Sequence, residues 1–388
     1  MNTLPSTSRV RVAIVTNTPA PYRLPVWGAL AREPDIDLHV LFCSGREPNR
    51  AWDLGEFHFH HEFLKERYAT LAGRYVHVNP DVWQALGRIR PALIVTNGFN
   101  PTHLLAFAWA RRHGALHVAM TDGTVLSEAS LSAPHRIVRR HVYARSAAFV
   151  GASDGSFELF RGYGVAPRAM FKSHLCADNA TFLAEPPRER DIDLMFCGRF
   201  IEIKQPLFAL QVACAAARRL GRRVRMLWLG SGELEGVLRE ATAFNSDLVQ
   251  GEFAGFARQA ELPGHYARAR LLLFPTLGDT WGVVANEACA AGVPVLTCPV
   301  AGVAGELVRD GESGFVLPLE LERWADTVAR LLTDDAGRES MARRARELVQ
   351  PYSYGNAAAG LAAALRHAML EMPARPTPSR WYAWRKLT

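Results

Sequence analysis

The chain has 388 residues, of which 49% are hydrophobic and 21% are charged, a composition typical of a globular protein with two or three domains. This composition excludes low-complexity disorder and collagen-like sequence, and no apolar run approaches the roughly 18 residues of a membrane-spanning helix. The net charge of +7 lies mainly in the first half, where residues 1–180 carry 20 Lys+Arg against 14 Asp+Glu. Such a basic surface suits an acidic substrate, nucleic acid or an anionic membrane.

Short β-rich apolar runs alternate with amphipathic stretches along the first half of the chain. This alternation predicts βαβ units, in which helices cover both faces of a parallel sheet. The predicted strands are 10–16, 36–42, 92–96, 116–120 and 147–150, and the predicted helices are 22–32, 101–113, 134–144 and 154–162.

A polar stretch with two prolines, 185–191, interrupts this rhythm and is the predicted linker. The rhythm then restarts with predicted strands 192–197, 224–229, 271–275 and 293–297, and predicted helices 205–220, 283–291, 319–332, 336–349 and 356–370. The sequence therefore predicts two doubly wound α/β domains, 1–184 and 192–365, followed by a tail, 366–388. Domains of this kind bind ligands at the carboxyl ends of their strands, so the cleft between them is the expected site.

The segment 271–297 is the strongest candidate for a binding site. A buried strand leads into a loop with Asp279, and a helix follows from Gly282 and Val283. The free N–H groups and the positive dipole at a helix start favour an anion such as a diphosphate. Glu287 lies about one turn into the helix, where it is placed to accept hydrogen bonds from a ribose. Asp279 is placed to accept hydrogen bonds from a second polyol. Alternatively, Asp279 only caps the helix and Glu287 is a solvated surface residue.

Two cations follow the first strand of the second domain. Arg199 lies just beyond that strand and Lys204 lies at the start of the next helix. An arginine fork and a lysine point charge together suit a diphosphate. Either residue could be an ordinary surface cation, but lysine is rare in this chain, and this rarity favours a function for Lys204.

Three further segments follow predicted strands. Gly230 and Gly232 form a GxG turn that permits close backbone approach, and we interpret it as a nucleotide-side turn instead of an NAD site. Tyr22 and Arg23 follow the first strand, where they either contact a phosphate or an acceptor or only begin a helix. Asp122 either orients an acceptor hydroxyl or belongs to an ordinary Asp-Gly turn.

Histidine, arginine and cysteine give weaker signals. The histidines at 58, 60 and 61 are expected to belong to a strand, because alternation sends neighbouring side chains to opposite faces and disfavours a metal site. The basic run 136–145 favours a solvated helix face, with contact to anionic lipid as the alternative; the arginines predicted to share that face are Arg136, Arg139 and Arg140. The six cysteines form no CxxC pair and, with no signal-like segment in 1–9, predict free thiols and a cytoplasmic location.

The second half of the chain carries several motifs in one order. They are Arg199 and Lys204 after the strand, the string LGSGE, the D-x7-E spacing of Asp279 and Glu287, and the string DGESG. In this order and at these spacings, residues 192–350 resemble the retaining family-4 glycosyltransferases of the GT-B fold. The resemblance implies two Rossmann-like domains that face each other across a cleft.

The resemblance also implies roles for individual residues. Arg199 and Lys204 would bind the donor diphosphate, Glu287 would hold the ribose, and Asp279 would contact the transferred sugar. The chain departs from the family at three places: Asp279 stands where the family has Glu, TPAPYR replaces a Gly-Gly loop, and Asp122 lies near the position of an acceptor-side histidine.

The implied activity is a retaining transfer of a sugar from a nucleotide-diphosphate donor to a sugar or lipid-linked acceptor, in polysaccharide or glycoconjugate biosynthesis. Domain 1–184 would bind the acceptor, domain 192–365 would bind the donor, and the tail, with 381–386, would pack back on the first domain. No metal or other cofactor is expected, and contact with the inner face of the membrane is an option. The alternatives are an epimerase or hydrolase of the same fold and a non-catalytic nucleotide-sugar-binding protein; nucleic-acid binding is disfavoured.

Overall fold

The computed structural model describes residues 9–45, 55–71, 74–129, 131–183 and 190–372. These residues form two α/β domains, each built on a central parallel sheet. The predicted fold class is therefore confirmed. Residues 185–189 of the predicted linker and residues 381–386 of the predicted tail lie outside the described ranges.

The N-terminal domain contains a sheet of seven described strands in the order β3-β2-β1-β6-β7-β8-β9, and a separate antiparallel hairpin of β4 and β5. The strands are β1 (Val10–Thr16), β2 (Ile36–Phe42), β3 (His60–Phe63), β4 (Tyr68–Leu71), β5 (Arg74–His77), β6 (Leu93–Thr96), β7 (Leu116–Thr121), β8 (Ala148–Gly151) and β9 (Met170–Lys172). The helices are α1 (Leu24–Leu30), α2 (Val82–Ile89), α3 (Pro101–His113), α4 (Val125–Glu128), α5 (Ala133–Tyr143), α6 (Asp154–Gly162) and α7 (Asn179–Phe182).

The C-terminal domain has a parallel sheet of six described strands in the order β12-β11-β10-β13-β14-β15. The strands are β10 (Ile192–Cys197), β11 (Val224–Leu229), β12 (Val249–Gly255), β13 (Ala269–Phe274), β14 (Val295–Thr297) and β15 (Gly314–Val316). The helices of this domain are α8 (Pro206–Leu220), α9 (Glu235–Phe244), α10 (Leu262–Arg268), α11 (Val283–Ala290), α12 (Leu321–Thr333) and α13 (Asp335–Val349). The helix α14 (Tyr354–Leu370) follows them in the chain and packs on the N-terminal domain.

Strand β1 shows why these apolar runs become central strands. Val12 and Ile14 are buried in one core cluster, and Ala13 and Val15 are buried in another on the opposite face of the sheet. Side chains alternate along a strand, so a strand covered by helices on both faces must be apolar at every position.

Within the described ranges the chain passes from the N-terminal to the C-terminal domain between β9 and β10 and returns after α13. The return runs through 350–353 into α14, which begins with a capping hydrogen bond from the N–H of Asn356 to the Ser353 hydroxyl (3.2 Å). Leu361 and Leu365 of α14 share a core cluster with Val12 and Ile14 of β1. The last described helix therefore packs in the core of the N-terminal domain, and it begins well before residue 366.

Most predicted elements are confirmed, several with their bounds unchanged, for example β1, β2, α3, β10 and β11. The strand expected at the histidines is confirmed as β3. The prediction missed the β4–β5 hairpin, β9, β15 and the third strand of the C-terminal domain, β12. The hairpin strands, β9 and β15 have only three or four residues each, and β12 reads VQGEFAG, with glycines that weaken a strand pattern.

The weaker sequence signals also have structural outcomes. His60 and His61 belong to the edge strand β3, as expected, whereas His58 lies just before that strand. No His, Cys, Asp or Glu cluster within the described ranges is arranged to hold a metal ion. The six cysteines are free thiols, five of them buried. None of the helices in the described ranges is long and apolar enough to cross a membrane.

Candidate active site

A cavity of about 330 Å³ lies between the two domains, beyond the carboxyl ends of β10 and β11. The C-terminal domain contributes Arg199, Gly230, Val283 and Glu287 to its lining, and the N-terminal domain contributes Tyr22. Parallel strands place the loops that follow them at one edge of a sheet. The structure thus brings five of the ten predicted site residues to one cavity.

Gly230 is required by the packing of two loops. Its φ is 135°, and a Cβ atom there would lie 2.0 Å from the carbonyl oxygen of Gly198. The same holds for Gly232, where a Cβ atom would lie 2.4 Å from the carbonyl oxygen of Phe200. The GxG pattern therefore lets the loop after β11 pack against the loop after β10, and the resulting backbone forms one wall of the cavity.

Glu287 is buried and faces this cavity from the second turn of α11. Its carboxylate Oε2 accepts a hydrogen bond from the Tyr266 hydroxyl at 2.8 Å. Burial raises the pKa of Glu287 to about 7, and the Tyr266 hydrogen bond opposes that shift. Burial also raises the pKa of the neighbouring Cys197 thiol. The alternative interpretation of Glu287 as a solvated surface residue is thus wrong.

Asp279 is paired with Lys204. The Lys204 ammonium contacts Asp279 Oδ2, and each side chain is about four-fifths buried. Asp279 Oδ1 accepts a hydrogen bond from the backbone N–H of Trp281 at 3.1 Å. The helix α11 is preceded by Gly282 at its N-cap position, so Asp279 is not the helix cap.

The Lys204–Asp279 pair lies outside the cavity lining but against the same helix start. The Lys204 ammonium lies 5.7 Å from the centroid of the Phe274 ring. A Cβ atom at Gly282 would lie 2.4 Å from that ring, and the φ of Gly282 is 108°. The glycine therefore lets Phe274 pack directly beneath the start of α11, so that the Lys204 ammonium and the first turn of α11 both border Phe274.

The position of Lys204 is fixed by hydrogen bonds between two loops. Lys204 ends a 3-10 turn, Glu202–Lys204, that precedes α8. The carbonyl of Ile203 accepts hydrogen bonds from the Leu277 N–H (2.9 Å) and from the Thr276 hydroxyl (3.0 Å). These bonds hold the Lys204 turn against the loop that carries Asp279.

On the N-terminal side, Arg23 and Asp122 form an ion pair across the sheet edge. The buried Arg23 guanidinium contacts Asp122 Oδ1 and also donates to the Ser173 carbonyl at 3.4 Å. The Asp122 side chain remains about one-third exposed. The chain also turns locally at Asp122 and Gly123, where the N–H of Gly123 donates to the Thr121 hydroxyl at 3.0 Å. The Asp-Gly segment therefore makes the local hydrogen bond of a turn, and the acceptor role of Asp122 stays a prediction.

Sequence reasoning missed two aromatic residues near this site. Tyr266 hydrogen-bonds Glu287, and Trp281 is fully buried beside Asp279, where its ring stacks on Tyr352 at 5.4 Å. Tyr266 gave no usable signal, because it lies in a short helix that the sequence did not predict.

Comparison with known proteins gives a family match within the C-terminal domain and a structural match over most of the chain. Residues 191–334 match the family model described as "Glycosyl transferases group 1". The structure also resembles that of Anabaena Alr3699/HepE, determined in complex with UDP and glucose, with a TM-score of 0.72 at 16% identity over 92% of this chain and 100% of that one. The fold is GT-B.

Two curated relatives match part of the chain. A D-inositol 3-phosphate glycosyltransferase of Frankia alni is 31% identical over 53% of this chain and 53% of its own length. A glycogen synthase of Mycobacterium tuberculosis is 29% identical over 50% of this chain and 47% of its own. The chain therefore spans about half the length of these relatives.

Proposed function

We propose that this GT-B protein is a retaining, family-4 type glycosyltransferase that moves a sugar from a nucleotide-diphosphate donor to a sugar or lipid-linked acceptor in polysaccharide or glycoconjugate biosynthesis. The observation that carries the proposal is the cavity between the domains, which combines Arg199, the start of α11 at Val283 and the buried Glu287. Support comes from the family match over 191–334 and from relatives with glycosyltransferase names.

The charges of the site suit the departure of a diphosphate. In the proposed reaction the bond between the sugar anomeric carbon and the diphosphate oxygen breaks, and negative charge grows on the diphosphate. Arg199, Lys204 and the N–H groups at the start of α11 would stabilise this charge, so no metal requirement is part of the proposal. The acceptor hydroxyl would form the new bond on the same face of the sugar, and its proton would pass to a phosphate oxygen.

On the acceptor side, we place Asp122 and the loop of Tyr22 and Arg23. Tyr22 lines the donor cavity and the neighbouring Arg23 holds Asp122. The partly exposed Asp122 carboxylate would accept a hydrogen bond from an acceptor hydroxyl near the donor.

Donor binding is tested by calorimetric titration of UDP-glucose, GDP-mannose and ADP-glucose, with EDTA present. Wild-type protein should bind a nucleotide sugar, and Lys204→Ala should lose about 1.5–3 kcal/mol of binding free energy because a charge-assisted contact is removed. Lys65→Ala, which removes an exposed lysine of the N-terminal domain, is the matched control and should bind normally. Absence of binding to all three would overturn the proposed donor class.

Turnover separates the remaining candidates. Nucleoside diphosphate released only in the presence of a glycoside or lipid-linked acceptor indicates a transferase, and the anomeric configuration of the product, read by NMR, tests retention. Release without any acceptor would favour the hydrolase or epimerase. Tight binding with no turnover would favour the non-catalytic binding protein.

We also propose peripheral contact between the N-terminal domain and an anionic membrane at the cytoplasmic face. The observation that favours it is an apolar groove between α3 and α5, lined by Phe107 and Val138, with Ile137 66% exposed and Arg111 and Arg112 at its rim. Arginines around exposed apolar side chains complement an anionic bilayer surface.

The face predicted for α5 needs one correction. Arg139 pairs with Glu128 at 2.6 Å and is largely buried, so it does not share the exposed surface of Arg136 and Arg140.

Sedimentation with vesicles of anionic or neutral lipid tests the proposed membrane contact. Arg111→Gln with Arg112→Gln should reduce binding to anionic vesicles, whereas Arg218→Gln with Arg223→Gln, on the C-terminal domain, should not. Equal partitioning onto both lipids would contradict membrane contact.

A further inference from the structure

The pairing of Lys204 with Asp279 affects what the site can bind. A diphosphate that binds Lys204 competes with a carboxylate of the same chain for its ammonium, since Lys204 Nζ contacts Asp279 Oδ2. Both side chains are about four-fifths buried, so water screens this pair less than it would on the surface.

The two partners differ in their freedom to move. The backbone of Asp279 is fixed by a hydrogen bond, because its carbonyl accepts from the Gly302 N–H at 2.9 Å. Its second carboxylate oxygen is held by the Trp281 N–H at 3.1 Å. Lys204 reaches the pair through a flexible four-carbon stem. When a diphosphate competes for the ammonium, Lys204 is therefore the partner that moves, and Asp279 keeps its position.

We propose that Asp279 is a specificity-determining residue that acts as the internal counter-ion of Lys204 and disfavours a free nucleoside diphosphate relative to a nucleotide sugar. This inference rests on the proposed function. A free nucleoside diphosphate draws Lys204 away and leaves the fixed Asp279 carboxylate without its cation. A nucleotide sugar also draws Lys204 away, but its sugar hydroxyls donate hydrogen bonds to that carboxylate.

The consequence for the reaction concerns product release. Once the sugar has left, Asp279 loses the donated hydrogen bonds and recaptures Lys204. The ion pair therefore weakens binding of the nucleoside diphosphate product after transfer. A carboxylate that only contacted the sugar would not affect the affinity of the free nucleoside diphosphate.

The test measures the dissociation constants of a nucleoside diphosphate and of its sugar derivative. The pair is UDP and UDP-glucose, or the corresponding GDP or ADP pair if the wild-type protein selects that base. The variant Asp279→Asn keeps the shape of the side chain and removes its charge. We expect Asp279→Asn to bind UDP about tenfold more tightly than wild type, with a smaller change for UDP-glucose. Glu202→Gln removes a charge from the same 3-10 turn without touching Lys204 and should leave both constants unchanged.

A double variant separates competition for Lys204 from direct repulsion. In a Lys204→Gln background, Asp279→Asn should have a much smaller effect on UDP. An equal effect in both backgrounds would show direct repulsion and would overturn the counter-ion role. Unchanged or weaker UDP binding by Asp279→Asn alone would also overturn the counter-ion role. Wild-type protein that binds none of the three nucleotide pairs would overturn the proposed function itself and this inference with it.

Discussion

The Tyr266 hydroxyl and the Glu287 carboxylate lie 2.8 Å apart inside the domain interface, and the hydrogen bond between them is buried. Tyr266 lies on α10 and Glu287 on α11. Burial raises the pKa of Glu287 to about 7 and raises the pKa of Tyr266 well above its ordinary value. The carboxyl group proposed to hold the ribose therefore changes its charge near neutral pH.

This pKa predicts a pH dependence of donor binding. In the proposed role of Glu287, ribose hydroxyls donate hydrogen bonds to the ionised carboxylate, and below pH 7 Glu287 must lose a proton before it can accept these bonds. The affinity for UDP-glucose, measured by calorimetry, should therefore rise about tenfold between pH 6 and pH 8. The ligand itself does not contribute to this change, because its diphosphate diester does not titrate in this range. Glu287→Gln should bind more weakly and show a flat profile. A wild-type profile as flat as that of the variant would contradict the role of Glu287.

The GxG loop gives a prediction with a control in the helix that follows it. Gly230→Ala places a methyl group against the Gly198 carbonyl at a positive φ, so it should cost several kcal/mol, on the order of other overpacked or strained sites. Gly236→Ala lies in α9, where the added methyl group meets nothing within 4 Å, and should stabilise the protein by about 0.5 kcal/mol. Urea unfolding measures both free energies. Equal effects would contradict the packing role of Gly230.

The interface near the first crossing segment contains a partly buried ion pair between the domains. Lys172 donates to Glu306 at 2.9 Å, and Glu306 also accepts the Asp154 N–H at 2.7 Å. Lys172→Met leaves the largely buried Glu306 without its cation and should lower the free energy of unfolding by about 1–3 kcal/mol. Lys172→Met combined with Glu306→Gln should recover part of that loss in urea unfolding. An additive double variant would show that the two side chains do not interact.

Buried histidines predict sensitivity to acid. Burial lowers the pKa of both His103 and His117 to about 3, whereas the unfolded chain binds those protons near pH 6.5. The unfolded state therefore binds more protons below pH 6.5, and stability falls as the pH falls from there toward 3. Each histidine should remove about 2 kcal/mol between pH 6.5 and pH 5.

Urea unfolding at a series of pH values measures this dependence. His117→Gln should reduce the slope of the unfolding free energy against pH by about one proton. His135→Gln, which replaces an exposed histidine of α5, is the control and should leave the slope unchanged. An unchanged slope in His117→Gln would show that His117 does not contribute.

The sequence by itself determined the order of most elements and the positions of the candidate site residues along the chain. Continuous apolar runs such as Val10–Thr16 predict central strands because only a strand buried on both faces needs apolar side chains at every position. The spacing of Asp279 and Glu287 and the cations at Arg199 and Lys204 were also readable, because a loop, a helix start and one helical turn are local features.

Only the tertiary structure decided which of these groups meet and how each is charged. The pairs Lys204–Asp279, Arg23–Asp122 and Tyr266–Glu287 join different elements, and their contacts depend on how separate loops pack at the sheet edges. The burial that raises the pKa of Glu287 likewise comes from α10 and the domain interface. A local pattern specifies which elements form, whereas a pKa and an ion pair depend on neighbours that the fold brings together.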